Sequence, residues 1–354
     1  MLATVHAATL HGIDGRVIRV EVDVAPGLPG FTIVGLPDAA LQEARERVRG
    51  AIRNSGLAFP PRRITVNLAP ADLRKAGASL DLAIAIGILL GSDQVRATGR
   101  WAFIGELSLG GDLRAVPGTL PMVVALAERG SRRIVVPSDA AAEAALAPEV
   151  DARPASDLAQ VVELLRLAGS RRRRNRPAPP ERIELAGDGQ TGPIAGGAGE
   201  HGQAGHGRPS RPNAGPETPD LADIRGQAVG RRALEIALAG GHGLLLTGPP
   251  GSGKTMLART IPGLLPPLSD AEARVASTIA SVAGEGPLTG LVRSRPFRAP
   301  HHTISYAGMI GGGPRLAPGE VTRADEGVLF LDELPEFGRD VLEALRQPLE
   351  DGRV

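Results

Sequence analysis

Apolar positions along this chain change period repeatedly, and the changes mark two folded blocks separated by a stretch with almost no period. Residues Thr4–Leu10 and Arg16–Val24 flank the turn Gly12-Ile-Asp-Gly15, which predicts a β-hairpin. Helical spacing follows over Pro37–Asn54, with proline at its start, then a strand at Ile64–Leu68 and an apolar helix from Ser79 to Leu90. A strand–turn–strand at Ala102–Val116, a helix at Pro121–Arg129, a strand at Ile134–Val136 and a helix at Leu158–Leu167 complete an α+β unit over residues 1–169. Composition then shifts into Arg171–Arg174, Arg176 and a Pro/Gly-rich tract, so residues 170–219 read as a flexible linker unable to bury enough surface to offset its ordering entropy. The arginine run is a solvated basic tether or a contact for nucleic acid or another subunit, and His201 and His206 lack partners at metal-ligand spacing.

A second block occupies residues 220–354. Asp223-Ile-Arg-Gly-Gln227 leads into an amphipathic helix at Arg231–Leu238, then a short apolar strand at His242–Thr247. Between that strand and the helix-forming run Met256–Ile261 stands Gly248-Pro-Pro-Gly-Ser-Gly-Lys-Thr255, a complete phosphate-binding loop. Its glycines let successive amides turn toward phosphate oxygens, and the next helix adds the positive end of its dipole. Gly248, Pro249, Pro250, Gly251, Ser252, Gly253, Lys254, Thr255 and Met256 are therefore the expected ATP contacts. In that reading Lys254 reaches the β- and γ-phosphates and Thr255 ligates Mg²⁺.

Gly327-Val-Leu-Phe-Leu331 reads as a buried parallel strand delivering Asp332 and Glu333 to the carboxyl edge of the sheet. Asp332 would hold Mg²⁺ through a water, and Glu333 would polarise the attacking water as general base, with Lys254 as its catalytic counterpart on the phosphates. Thr255 and Asp332 lie 77 positions apart, more than one crossover helix and one strand require, so something is inserted between them. That insert has a helical pattern at Ser269–Ala280 and a loop-rich part carrying Arg293, Arg295 and Arg298, candidates for gripping a polyanion such as DNA. The competing reading pairs them with acids of a neighbouring subunit or leaves them in water. His301 and His302 are adjacent, so on a strand they face opposite ways and do not easily share a metal.

Composition narrows the chemistry. Aromatic residues make up 2% of the 354, which weighs against stacking on single-stranded bases but leaves backbone binding open. The absence of cysteine excludes disulfides, thiolate metal sites and cysteine nucleophiles. A net charge of +1 says nothing about partners. The first ten residues lack a signal-peptide pattern, and the apolar stretch Leu82–Gly91 is too short to span a membrane, so no membrane association and a cytoplasmic location are expected. A helix at Arg339–Leu349 runs into what reads as a hairpin turn, and no arginine finger follows the carboxylates, which suggests a portion of a longer polypeptide.

With these motifs in place, the second block resembles the magnesium-chelatase branch of the AAA+ ATPases. It is most similar to the YifB/ComM subfamily, through Asp223–Gln227, Phe297-Arg-Ala-Pro-His-His302, Gly311-Gly-Gly313, Pro318-Gly-Glu320 and Gly327–Phe337. The resemblance implies an α/β P-loop NTPase fold with an incomplete AAA+ core, ATP and Mg²⁺ as ligands, and assembly into a homo-hexameric ring. It also implies action on branched or single-stranded DNA, as a helicase promoting branch migration in natural transformation. A chelatase motor subunit and a nucleotide-dependent scaffold without turnover are the alternatives. The first block is similar to the Lon-protease-like fold, also described as ribosomal S5 domain 2-like, with Lys75-Ala-Gly-Ala-Ser79 at the place of the nucleophile segment. The position of the dyad lysine falls on Leu120, so proteolysis is not expected and Ser79 is read as the N-cap of the next helix.

Overall fold

The opening hairpin closes on a two-residue turn. Strands β1 (Leu2–His11) and β2 (Asp14–Ala25) pair antiparallel from Leu2↔Asp23 to His11↔Asp14, and Gly12 makes the corner at φ 61°. The computed structural model of the chain describes residues 1–36, 38–73, 75, 77–97, 99–148, 150–174, 219–313 and 316–351. After the hairpin come β3 (Gly30–Val34), α1 (Ala39–Asn54), β4 (Arg63–Ala69), α2 (Asp81–Gly91), β5 (Trp101–Phe103), the small ladder β6 (Glu106–Leu107) and β7 (Leu113–Arg114), and α3 (Thr119–Glu128). The block ends with β8 (Arg133–Pro137), α4 (Ala141–Ala144), β9 (Asp151–Ala155) and α5 (Leu158–Arg174). Seven strands form one mixed sheet in the order β3-β4-β2-β1-β5-β8-β9, antiparallel only where β2 meets β1 and β4.

Both faces of this sheet are covered, and the period of two shows how. Val5, Ala7, Phe103 and Val135 face the core formed with α1, α2 and α5, whereas Ala8, Ala102, Ile134 and Val136 face the one formed with α3 and α4. Helix α2 is buried almost all round and shows no polar face. It lies so close to β2 that a Cβ added at Gly87 would meet Val22 Cγ2 at 2.5 Å. Its first residue, Asp81, is fully buried; Arg47 donates to both carboxylate oxygens at 2.7 and 3.1 Å. Burial nonetheless outweighs the guanidinium and pushes the Asp81 carboxyl up to about 6.

Ser79 is not a cap. The residue before α2 is Leu80, with no side-chain cap bond, and the buried Ser79 hydroxyl donates to Ala8 O at 3.1 Å. A carbonyl on β1 outcompetes the helix amides because the hydroxyl is enclosed against that strand. Leu120, at the place of the dyad lysine, is buried in α3, and Lys75 is fully buried with its ammonium donating to Pro70 O.

The second block holds α6 (Ala228–Gly240), α7 (Lys254–Arg259), α8 (Ile261–Leu264), α9 (Asp270–Ala283), β10 (Phe297–Arg298), α10 (Tyr306–Ile310), β11 (Gly311–Gly312), β12 (Ala317–Pro318), α11 (Glu320–Arg323), β13 (Val328–Leu329), α12 (Arg339–Ala344) and α13 (Arg346–Asp351). Two expected strands differ from the reading above. Residues His242–Thr247 form no strand, and Leu244 and Leu245 stand 39% and 72% exposed, because no described segment pairs beside them. Gly327–Leu331 is a strand only at Val328–Leu329, parallel to β10, and is half-buried rather than enclosed. The closing helix breaks at Leu345 and its second part continues to Asp351, where a turn was expected. Helix α5 runs through Arg171–Arg174, and the rest of the linker, with Arg176, His201 and His206, lies outside the described residues.

Candidate nucleotide site

The phosphate loop owes its shape to two glycines. Gly251 and Gly253 sit at φ 77° and 84°, and a Cβ at either would meet nothing within 4 Å, so conformation rather than space demands glycine. Gly253 is the left-handed N-cap of α7, which places Lys254 and Thr255 in that helix's first turn. The Lys254 ammonium is folded back onto its own loop, donating to Gly248 O at 2.9 Å and Pro249 O at 3.0 Å. To bind phosphate it exchanges those carbonyls for phosphoryl oxygens. Met256 points outward at 47% exposure, while Leu257 and Ala258 anchor the helix in a small core with Leu246, Val328 and Phe330.

That core joins the loop to the acidic segment. Side chains alternate along the strand: Val328 and Phe330 face the loop's core, and Leu329 and Leu331 face a second cluster built on Met309, Phe337 and Val341. The strand therefore delivers Asp332 beside Thr255, whose hydroxyl donates to Asp332 Oδ2 at 2.9 Å across 77 positions. With its proton directed at Asp332, the Thr255 oxygen keeps lone pairs for Mg²⁺, and Asp332 stands one hydrogen bond away, where it would hold that ion through a water. Among the described residues no group of three or more His, Cys, Asp or Glu could hold a metal ion.

Glu333 follows at φ 54°, a left-handed backbone for a non-glycine residue. Its amide donates to Asp332 Oδ1 at 3.1 Å, and its exposed carboxylate lies 3.6 Å from His302 Nδ1. The His302 ring packs against His301, with centroids 4.1 Å apart, and edge-on to Phe337. Two residues that the sequence did not place at the nucleotide, His302 having been read as structural or as part of a substrate loop, thus adjoin the site. His302 neighbours Glu333, and Gln227 donates through Nε2 to Ser252 O at 2.8 Å, pinning the loop from the start of α6. The motif containing Gln227 was legible; its contact 25 positions away was not.

The three insert arginines are occupied by carboxylates of this same chain. Arg293 pairs with Asp270, Arg295 with Glu272 and Glu326, and Arg298 with Glu320 and Glu285. Arg295 also donates to Pro266 O at 3.0 Å and Glu326 O at 2.7 Å. Ser269 and Arg295 draw the Glu272 carboxyl down to about 2, with the serine's contribution first. The Arg298 guanidinium, the largest cause, holds Glu320 below the usual carboxylate range. These arginines tie the insert together, and only Arg293, half-exposed, presents much of its side chain to solvent.

Residues 220–354 match the family described as magnesium chelatase, subunit ChlI, and residues 20–140 match the description subunit ChlI of Mg-chelatase. The whole chain is 43% identical to the uncharacterized protein YifB of Salmonella typhimurium, covering 63% of that relative. It is 42% identical to the competence protein ComM of Haemophilus influenzae, covering 64% of it, and 42% identical to YifB of Escherichia coli, covering 63%. The chain thus spans a little under two thirds of the length of these relatives.

Proposed function

The chain belongs to the YifB/ComM subfamily of magnesium-chelatase-like AAA+ ATPases, and from that premise we propose that it is the nucleotide-binding part of a Mg²⁺-dependent ATP hydrolase. One observation carries the reading: Thr255 of the phosphate loop and Asp332 of the acidic strand are joined at 2.9 Å. The left-handed Gly251 and Gly253 shape a loop whose amides turn toward an anion, and Lys254 leaves Gly248 and Pro249 for the β- and γ-phosphates. Thr255 would ligate Mg²⁺ and Asp332 would hold it through a water, and the ion would supply charge neutralisation for the triphosphate. Glu333, the residue after Asp332, orients and deprotonates the attacking water.

In the full-length protein this unit drives a homo-hexameric ring acting on branched or single-stranded DNA, a reading supported by the competence designation of the Haemophilus influenzae relative. The family descriptions favour a second reading, a motor subunit for magnesium insertion. In full-length protein, Glu333→Gln keeps nucleotide binding and abolishes turnover; a variant that still turns over ATP removes Glu333 from the mechanism. ATPase stimulation by forked or four-way DNA, sensitive to salt, supports the DNA motor, and indifference to DNA favours the chelatase reading.

A further inference from the structure

Helix α9 belongs to the second block, but its last turn is built into the first. The Gly118 amide, just before α3 and left-handed at φ 78°, donates to Ser281 O at 2.9 Å. The Ser281 hydroxyl donates to Glu143 of α4, whose carboxylate also accepts the Leu120 amide at 2.9 Å. Glu143 and Ser281 are 6% and 3% exposed, and Leu288 packs on the α3 core nearby. One buried carboxylate oxygen therefore takes a donor from each block.

The rest of α9 is tied to the acidic strand. The Phe330 amide donates to Arg298 O at 2.8 Å, and the Arg298 side chain reaches Glu285, just beyond the α9 cap at Gly284. Arg295, three residues earlier, reaches Glu272 in the helix's first turn. Both ends of α9 are thus held by the segment that pairs with β13, the strand that ends three residues before Asp332. Helix α7 of the phosphate loop packs on Val328 and Phe330 of that same strand, so a Lys254 and Thr255 rearrangement around nucleotide presses on it directly.

We propose that α9 transmits the nucleotide state of the ATP site to the first block, with the Glu143–Ser281 contact as its fastener and α3 as the receiving element. The inference rests on the nucleotide reading above. Signal passes through bonded and packed neighbours along β13, β10, α9 and α3, which gives it a physical route.

The test is amide hydrogen exchange on the full-length chain, with and without a non-hydrolysable ATP analogue and Mg²⁺. In the native protein, exchange slows in residues 248–259 and changes in Thr119–Glu128. In Glu143→Ala the first response remains and the second disappears, while the first-turn amides of α3 exchange on the order of tenfold faster without nucleotide. Ser281→Ala leaves the Leu120–Glu143 bond and hence the nucleotide-free exchange of α3 intact, likewise keeps the first response and loses the second, and carries the test if Glu143→Ala does not fold. An α3 response that persists in both variants, or is missing in the native protein while 248–259 are protected, overturns the coupling alone. No nucleotide response at 248–259 overturns the ATP reading and the coupling with it.

Discussion

Replacing Arg298 by alanine separates the two roles open to the insert arginines. Its guanidinium makes two charge-assisted bonds to Glu320, at 2.7 and 2.9 Å, and a third to Glu285 at 3.0 Å. Glu320 and Arg298 side chains are 13% and 27% exposed, so solvent screens the pair only in part. Arg323 stays on both acids after the substitution, at 2.9 and 2.6 Å, and Glu320 is not left wholly unpaired. A charged hydrogen bond contributes about 1.5–3 kcal/mol, and with one partner retained the net loss is about 2 kcal/mol. That corresponds to a drop of about 5–10 °C in the midpoint for a unit of this size, measured by thermal unfolding. The pH dependence has a definite sign. Glu320's carboxyl is depressed in the fold, so its stabilisation is present above the ordinary value of 4.5 and lost as pH falls through the lowered value. Arg298→Ala therefore flattens the acid side of the stability profile. An unchanged midpoint, together with a DNA-binding salt slope reduced by about one, would refute this reasoning and restore Arg298 as a phosphate contact.

Other expectations are quicker to check. Asp81 has its carboxyl raised from 3.8 to about 6, so the fold loses stability as pH rises through that window. Denaturant titrations from pH 3 to 7 should show this slope, and Asp81→Asn should abolish it. Gln227→Ala removes the bond to Ser252 O and should weaken ATP affinity about fivefold with little change in unfolding midpoint, which nucleotide titration reads directly.

Much of the ATP site was legible because its information is local. Gly251, Gly253, Lys254 and Thr255 fall within five residues, and their spacing alone implies the loop and the helix start. Lateral pairing was less legible. An apolar run such as His242–Thr247 announces a strand, but a strand exists only where a neighbour accepts its hydrogen bonds, and no described segment does. The arginines show the same limit. Arg298 finds its acids 13 and 22 positions away, distances at which composition cannot distinguish an internal ion pair from a nucleic-acid contact. Ser79 had the residue type of a cap and the position of one, yet its hydroxyl donates to a carbonyl 71 residues earlier. The link between Glu143 and Ser281 spans 138 positions and leaves no trace in any local pattern.

Lysine occurs only twice in this chain, and the two residues make a direct test of the nucleotide site. Lys75 is fully buried, while Lys254 lies on the exposed phosphate loop. Treating the folded protein with a small amine-acylating reagent and locating the adduct by mass spectrometry should show modification at Lys254 and none at Lys75. Mg²⁺-ATP should suppress it, and AMP, lacking β- and γ-phosphates, should not. Equal modification of Lys254 with and without Mg²⁺-ATP would contradict the claim that this loop and the Asp332 strand together hold a triphosphate.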